Sequence, residues 1–277
     1  MSGEKALPIS AIVCTLNEAM NIEECLAAIS RNRPAETIVV DASSSDNTVE
    51  RAAHYGAVCR VCERRGLAFQ RQLGVSLAKE PYLAFVDADD VLDKDCLDKL
   101  LGELQEHGYS AIQALSRSYA LGSYWERAMD SLGQMQAQKP GASNMVGRPA
   151  LYRTDILVRI GLDPNWGPVG NEDTDLSIRY EREGQHMGIG RGTSRRKHPG
   201  TFHGWVKKWK KYGKGDLLLL RKYPEKTWAI LHHQLIGYPV RRSIEGIRNG
   251  YGRYCPFYIM FGLFRFFFMV KAGILGA

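Results

Sequence analysis

The sequence lacks both glycine-rich signatures that mark the commonest nucleotide-binding folds. No Gly-x-Gly-x-x-Gly follows the first predicted strand, and no Gly-x-x-x-x-Gly-Lys-Ser/Thr occurs anywhere in the 277 residues. The first motif builds a dinucleotide-binding turn and the second builds a phosphate-binding loop. Their absence argues against both kinds of site.

A disulfide framework and a secretory signal are also missing. The six cysteines are scattered through strand-like and helix-like segments, which favours a reducing cytoplasm. Cys59 and Cys62 form a single Cys-x-x-Cys pair without a second pair at zinc spacing, so no zinc site is expected there. Because Met1–Lys5 leads directly into a strand-like segment, no secretory signal is predicted and the expected location is cytoplasmic.

The composition is that of a globular protein with an excess of positive charge. Hydrophobic residues make up 44% and charged residues 24% of the chain, and the formal net charge is +7 at pH 7. The length suits one large domain, or one domain with an appendage. The charge indicates an anionic partner, either a nucleotide, a phosphorylated acceptor, nucleic acid or a membrane surface.

Short apolar runs alternate with segments of helical periodicity through the first third of the chain. Residues 8–16, 37–41 and 57–61 are predicted strands, and a predicted helix follows each of them. This alternation is typical of βαβ units with right-handed crossovers. The predicted fold class is α/β, with a mostly parallel central sheet flanked by helices.

The sequence is organised around Tyr82–Asp90, where an apolar run ends in three carboxylates. Such a run is typical of a strand buried on both faces of a parallel sheet, and ligands bind at the carboxyl ends of these strands. Asp87, Asp89 and Asp90 are therefore candidates for holding a hard divalent cation together with substrate phosphates. Asp90 has an alternative role as the cap of a helix that starts near Leu92.

Five short segments carry a resemblance to a known family. They are Ile12–Glu18, Val39–Thr48, Gln70–Gln72, Phe85–Asp90 and Gly170–Arg179. In this order and spacing they resemble the motifs of the family 2 glycosyltransferases, which have the Rossmann-like GT-A fold. The resemblance spans about residues 8–215. It implies an enzyme that transfers a sugar from a nucleotide-diphosphate donor.

The resemblance implies a donor site at the carboxyl ends of the strands. It assigns Asp87 to the ribose, Asp89 to a Mg²⁺ or Mn²⁺ ion, and Asp41 to the base or ribose. A cation such as Arg71 would help the metal to neutralise the departing diphosphate, although a solvated helix face is the alternative. Many relatives have a second acidic residue where this chain has Ala42, so the base is not implied. The implied nucleotide-sugar-binding residues are Thr15, Asn17, Glu18, Asp41, Arg71, Asp87 and Ala88.

The last of the five segments implies the catalytic residues. Glycosyl transfer needs a base that takes a proton from the acceptor hydroxyl. The resemblance assigns this role to Asp173, makes Glu172 its neighbour at the acceptor, and implies inversion by in-line displacement. Acidic residues in a first helical turn also stabilise the helix dipole, which is the alternative explanation. His198 lies where some relatives have a histidine metal ligand, but the segment can equally be a basic surface loop.

Two segments in the last third of the chain combine aromatic and basic residues. The first is an apolar helical stripe with lysines on the other faces, made of Phe202, Trp205, Val206 and Trp209. It suits an anionic membrane interface or nucleic acid. In the second, the tail at 254–271, the longest uncharged run is about half of the ~20 residues that a spanning helix needs. We therefore expect surface attachment rather than crossing, with a buried docking helix as the alternative.

These interpretations predict a catalytic domain at 1–222 and a C-terminal helical region at 223–277 that associates with a membrane. The predicted protein is an inverting, metal-assisted glycosyltransferase, monotopic on the cytoplasmic face of the membrane. Its expected partners are a nucleotide-diphosphate sugar, a lipid-linked or membrane glycan acceptor and an anionic membrane surface, without nucleic acid. The alternatives are a soluble acceptor or a basic nucleic-acid-binding protein, and the latter leaves the acidic strand ends unexplained.

Overall fold

The computed structural model describes residues 5–119 and 121–274. Residues 1–4, which bear on the expected absence of a secretory signal, lie outside the described residues, as do the last three residues of the predicted tail region.

The strands are β1 (Leu7–Thr15), β2 (Pro34–Asp41), β3 (Val58–Val61), β4 (Tyr82–Asp87), β5 (Asp90–Leu92), β6 (Ala111–Tyr119), β7 (Gly141–Ser143), β8 (Ala150–Arg153) and β9 (Met187–Lys197). The helices are α1 (Ile22–Arg31), α2 (Thr48–His54), α3 (Leu67–Leu77), α4 (Cys96–His107), α5 (Tyr124–Met135), α6 (Thr154–Ile160), α7 (Glu172–Arg182), α8 (Phe202–Lys222), α9 (Thr227–His232), α10 (Ser243–Arg248) and α11 (Cys255–Ile274). A π-helical segment spans His233–Arg242, and 3₁₀ turns lie at Pro224–Lys226 and Gly252–Tyr254.

The strands of the described residues form a mixed sheet in the order β3-β2-β1-β4-β8-β6-β9-β5, with β7 paired to β9. Pairing is parallel from β3 through β2 and β1 to β4. Beyond β4, β8 runs antiparallel to both β4 and β6, and β9 runs antiparallel to β5 and β7. The predicted α/β class with a central sheet flanked by helices is confirmed. The sheet is mixed: the pairs from β3 to β4 are parallel, and the pairs β4–β8, β6–β8, β5–β9 and β7–β9 are antiparallel.

Strand β4 lies in the middle of the sheet, as its apolar run predicts. Its residues Leu83–Val86 are at most 1% exposed. Helix α3 packs against the neighbouring strand β1 so closely that a β-carbon on Gly74 would come within 2.6 Å of Ile12. The absence of a side chain at Gly74 therefore allows α3 to approach the sheet that carries the acidic strand end.

The described part of the chain packs as two compact units. The first comprises the described residues within Met1–Arg117, Gln138–Gly167 and Asp173–Arg196, and the second those within Ser118–Ala137, Pro168–Glu172 and Lys197–Ala277. These are units of packing. The division into a catalytic domain ending at 222 and a membrane-associating region beginning at 223 concerns function, and it stays a prediction.

The core of the second unit contains the aromatic stripe of α8. Trp205 and Trp209 are fully buried, and their rings lie 5.0 Å and 6.0 Å from the ring of Phe257 in α11. The prediction that these tryptophans anchor the protein in a membrane interface is therefore wrong. The helical period identified an apolar face correctly, but α11 covers that face instead of lipid.

The helix that covers them is the candidate membrane element. By length and composition alone, Gly252–Ile274 could cross a membrane. The most apolar 18-residue stretch of this helix has a mean hydropathy of 1.6, and 33% of that stretch is buried within the protein. One such helix is weak evidence, since core helices of soluble proteins meet the same criteria. Attachment to a membrane surface stays a prediction.

Candidate active site

The end of β4 and the start of β5 bring three aspartates together. Carboxylate oxygens of Asp87, Asp89 and Asp90 lie within 4.8 Å of one another. Asp87 is the last residue of β4 and pairs with Cys14 of β1. Asp90 is the first residue of β5 and pairs with Arg196 of β9. The turn between these two strands therefore concentrates the negative charge at the carboxyl edge of the sheet.

Asp90 is an ion-pair partner rather than a helix cap. It is fully buried, and Arg196 donates to both of its oxygens, with Nε 2.7 Å from Oδ1. Burial raises the pKa of Asp90 to about 6, and the guanidinium of Arg196 opposes that rise. The next helix begins only at Cys96, so the alternative of a cap at Asp90 is wrong.

Three arginines converge on Asp87. Nη2 of Arg71 lies 2.7 Å from its Oδ1, Nε of Arg148 lies 3.5 Å from the same oxygen, and Nη2 of Arg196 lies 3.3 Å from Oδ2. The side chain of Arg71 is almost fully buried, so the alternative that Arg71 lies on a solvated helix face is wrong. The charge-assisted hydrogen bonds from Arg71 and Arg196 fix the orientation of this carboxylate, and Arg148 adds an ion pair.

Asp89 is the carboxylate of the cluster that remains available. It is partly buried, and within residues 5–119 and 121–274 no hydrogen bond or ion pair engages its side chain. Mg²⁺ and Mn²⁺ prefer carboxylate oxygens, so Asp89 and the partly exposed Asp87 fit such an ion. The other predicted ligand, His198, belongs to the second unit, and its role stays a prediction.

A buried hydrogen-bond network joins the carboxyl ends of β1 and β2. The hydroxyl of Thr15 donates to Oδ2 of Asp41 at 2.7 Å, and the backbone N–H of Ser44 donates to Oδ1 at 2.7 Å. Gln70 of α3 donates to the backbone oxygens of Thr15 and Val40 at 3.0 Å and 2.9 Å. Asp41 is fully buried, so a contact between its carboxylate and the base or ribose requires the hydrogen bond from Thr15 or from Ser44 to open. That role stays a prediction.

The loop after β1 extends this edge toward the aspartates. Asn17 has a φ of 58°, which asparagine tolerates, and its Oδ1 accepts a hydrogen bond from the backbone N–H of Ser45 at 2.9 Å. Burial raises the pKa of Glu18, the hydrogen bond from Asn21 opposes the rise, and the charges of the aspartate cluster add to it. Ala88, inside the cluster, is buried. The predicted donor-binding roles of these residues stay predictions.

Arg148 links the predicted base to the aspartate cluster. Its Nη2 lies 3.1 Å from Oδ2 of Asp173, while its Nε contacts Asp87. The other oxygen of Asp173 accepts from the backbone N–H of Thr174 at 2.8 Å. Asp173 remains 30% exposed, so a substrate can reach it from solvent.

The other acids of α7 are in different environments. Asp175 is buried and accepts from Nε of Arg179 at 3.0 Å, which makes it a structural partner rather than a base open to an acceptor. Glu172 is also buried and belongs to the second unit. Its predicted contact with the acceptor stays a prediction.

Two arginines of the site were not singled out from the sequence. Arg196 lies in a run of basic residues, and the sequence gives no reason to prefer it to Arg195. In the structure, the pairing of β5 with β9 places Arg196 against Asp90. Arg148 lies between Gly147 and Pro149 in an unremarkable segment. No local signal identifies it, because its role depends on two partners distant in sequence.

The sequence profile described as glycosyl transferase family 2 matches residues 10–161, more than half of the chain. The chain therefore belongs to glycosyl transferase family 2, as the motifs predicted. The lipopolysaccharide core biosynthesis glycosyltransferase LpsC of Rhizobium meliloti is 35% identical over 103 residues, which are 35% of this chain and 37% of that protein. The chain spans about a third to a half of the length of the curated relatives it matches.

Solved structures establish the architecture. S. aureus TarS 1–349 in complex with UDP-GlcNAc superposes with a TM-score of 0.57 at 15% identity, over 92% of this chain and 82% of that chain. GalNAc-T7 with UDP, GalNAc and Mn²⁺ gives a TM-score of 0.58 at 17% identity, over 79% of this chain and 51% of that chain. At such identities the likeness shows the fold, and the predicted GT-A fold is confirmed.

Proposed function

We propose that the protein is an inverting, metal-assisted glycosyltransferase that moves a sugar from a nucleotide-diphosphate donor to a lipid-linked or membrane glycan acceptor. The observation that carries the proposal is the guanidinium of Arg148, which contacts Asp173 at 3.1 Å and Asp87 at 3.5 Å. This contact supports a base and a donor-binding carboxylate on either side of one reaction centre.

The donor half of the proposal rests on the aspartate cluster. Asp89 would hold the Mg²⁺ or Mn²⁺ ion, which when bound neutralises the charge of the departing diphosphate, and Asp87 would face the ribose. The complexes of TarS with UDP-GlcNAc and of GalNAc-T7 with UDP and Mn²⁺ support a nucleotide donor and a divalent cation. Further proposed donor contacts are Thr15, Asn17, Glu18, Asp41, Arg71 and Ala88.

The acceptor half of the proposal rests on Asp173. Its exposed carboxylate takes the proton of the acceptor hydroxyl while that oxygen forms a bond to the anomeric carbon. The bond between that carbon and the diphosphate oxygen breaks on the opposite side, the diphosphate leaves with the electron pair, and the configuration inverts. We propose that Glu172 lies at the acceptor beside it.

The catalytic proposal is tested with Asp89→Asn, Asp173→Asn and a control, Asp155→Asn, whose carboxylate is 64% exposed in a surface ion pair. A panel of UDP-, GDP- and dTDP-linked sugars with and without Mn²⁺ identifies donors that raise the Tm, since ligands stabilise the native state. Asp89→Asn should lose the Mn²⁺-dependent shift, whereas the other two variants should keep it. Asp173→Asn should lower turnover by about 10²–10⁴-fold.

Two results would contradict these assignments. A normal Mn²⁺-dependent shift in Asp89→Asn would remove this residue as the metal ligand. Near-normal turnover in Asp173→Asn would remove it as the base, and the buried Asp175 would not replace it.

Two apolar stripes in the second unit support a membrane acceptor. The stripe on α11 consists of Ile259, Leu263, Phe267, Val270 and Ile274, and the stripe along the π-helical segment and α10 consists of Ile236, Val240, Ile244 and Ile247. All nine side chains are exposed, and each set recurs three or four residues apart, which places it on one helix face. Exposed apolar area of this kind marks a membrane or protein contact.

Exposed cations accompany the two apolar stripes and favour an anionic membrane as the partner. Arg241 and Arg248 lie within or next to one stripe, and Lys271 lies within the other. Each such cation contributes about 1 kcal/mol near an anionic surface. We therefore propose monotopic attachment to the cytoplasmic face of the membrane.

Flotation with phosphatidylcholine vesicles, with and without phosphatidylglycerol, tests this attachment. The wild-type chain should float at 0.1 M salt and in part at 1 M salt, because screening removes only the electrostatic share of binding. The double variant Leu263→Ser/Phe267→Ser should lose the salt-resistant share, whereas Val158→Ser, a control at an apolar side chain of the first unit that is 57% exposed, should not. A chain that stays unbound at low salt would favour a soluble acceptor.

A further inference from the structure

A buried polar cluster in the second unit joins three segments around one carboxylate. Asp216 of α8 is 2% exposed. Arg265 of α11 donates to its Oδ1 at 2.7 Å and to its Oδ2 at 3.0 Å. Gln234 of the π-helical segment donates to Oδ2 at 2.7 Å, and Asn171 donates to Oδ1 at 2.7 Å. These three side-chain donors therefore come from three different parts of the chain.

The segment that ends at Asn171 is held tightly against α8. The backbone N–H of Gly170 donates to the backbone oxygen of Lys211 at 3.1 Å. A β-carbon on Gly215 would come within 2.2 Å of the backbone oxygen of Gly170, so only glycine allows this approach. Asn171 itself has a φ of 67°, a conformation that asparagine adopts more readily than most residues.

Asn171 directly precedes the first residues of α7, among them Asp173. We propose that Asp216, oriented by Arg265, is a positioning residue that acts through Asn171 to fix the backbone from which Asp173 projects. The inference rests on the proposed role of Asp173 as the base. It adds a role for α11, because the helix that carries one apolar stripe also supplies the guanidinium that orients Asp216.

A buried ion pair such as Asp216–Arg265 can serve specificity as well as stability. A buried ion pair is often no better for stability than apolar residues of the same size, and its geometry is then a matter of specificity. A base must be held within a fraction of an ångström of its substrate, and a displacement of about 1 Å can cost 10²-fold in rate. The carboxylate of Asp216, with fixed donors on both of its oxygens, would hold Asn171, and with it the start of α7, in one position.

The test compares Asn171→Asp with Gln234→Glu. Each variant keeps the shape of its side chain and replaces an N–H donor with an acceptor that faces Asp216, so both should lower the Tm to a similar extent. Asn171→Asp should lower kcat by about 10- to 100-fold with the donor KM within about twofold of wild type. Gln234→Glu should leave kcat within about threefold. Turnover is read as nucleoside diphosphate released from the sugar nucleotide that raises the wild-type Tm most.

Hydrogen–deuterium exchange gives a second measurement that needs no donor or acceptor. Asn171→Asp should speed exchange in peptides covering 168–180, and Gln234→Glu should not. If Asn171→Asp does not fold, Asn171→Gly, which also removes the donor and tolerates the positive φ, carries the same expectations. Equal losses of kcat in the two variants, or unchanged exchange at 168–180 in the Asn171 variant, would overturn the positioning role. Normal turnover in Asp173→Asn would instead refute the base, and the exchange result would still stand.

Discussion

Replacing Arg148 with lysine tests whether one guanidinium organises the reaction centre. The arginine side chain is 6% exposed and contacts Asp87 and Asp173 with different nitrogens of its planar fork. Lysine keeps the charge, but its single ammonium group cannot reproduce both contacts. One charge-assisted hydrogen bond contributes about 1.5–3 kcal/mol. If its loss lets Asp173 move, kcat should fall by about 10- to 100-fold.

Steady-state release of the nucleoside diphosphate measures this effect, with the donor chosen by the thermal-shift panel. Arg153→Lys is the matched control, because Arg153 pairs with Asp155 at the surface, where both side chains are about half exposed, and such pairs contribute little. The metal-dependent Tm shift should survive in Arg148→Lys, since Asp89 does not depend on this arginine. A kcat within twofold of wild type would refute the idea that Arg148 holds the base.

Two further predictions concern packing and charge in the first unit. Gly74→Val should lower the free energy of unfolding by about 1–3 kcal/mol through overpacking against Ile12. Gly102→Ala in α4, where a β-carbon meets nothing within 4 Å, should raise it by up to about 1 kcal/mol. Urea unfolding measures both changes. Asp175→Asn should destabilise the fold by about 1.5–3 kcal/mol, because it removes the buried negative charge that accepts a hydrogen bond from Arg179, but the folded enzyme should keep its kcat. A large loss of kcat without loss of stability would contradict the structural role of Asp175.

The sequence predicts the acidic edge of the sheet well because the signal there is local. An apolar run that passes directly into Asp87 and Asp89 identifies both a central strand and its carboxyl end. The pairing of the strands beyond β4 has no such local signal. β5 and β7 have three residues each and β8 has four, and their pairing is decided by contacts between segments distant in sequence.

The arginines of the site and the buried stripe of α8 show the same limit. Arg148 acquires its role only when α7 brings Asp173 beside it. Helical periodicity shows that Trp205 and Trp209 share a face, but it does not tell whether lipid or another helix covers that face. What the sequence leaves open in both cases is the identity of a tertiary partner.

The burial of those tryptophans leads to a prediction about Trp228 of α9. Trp228 is 74% exposed, whereas Trp205, Trp209 and Trp166 are at most 3% exposed. If the second unit binds a membrane through the two apolar stripes, Trp228, just ahead of one stripe in the chain, is the tryptophan most accessible to lipid. Vesicles containing brominated lipid should quench part of the wild-type fluorescence, and Trp228→Phe should lose most of that quenching while flotation persists. Quenching that remained undiminished in Trp228→Phe would refute this prediction, because another tryptophan, such as the partly exposed Trp125 of α5, would then be the one that reaches the lipid.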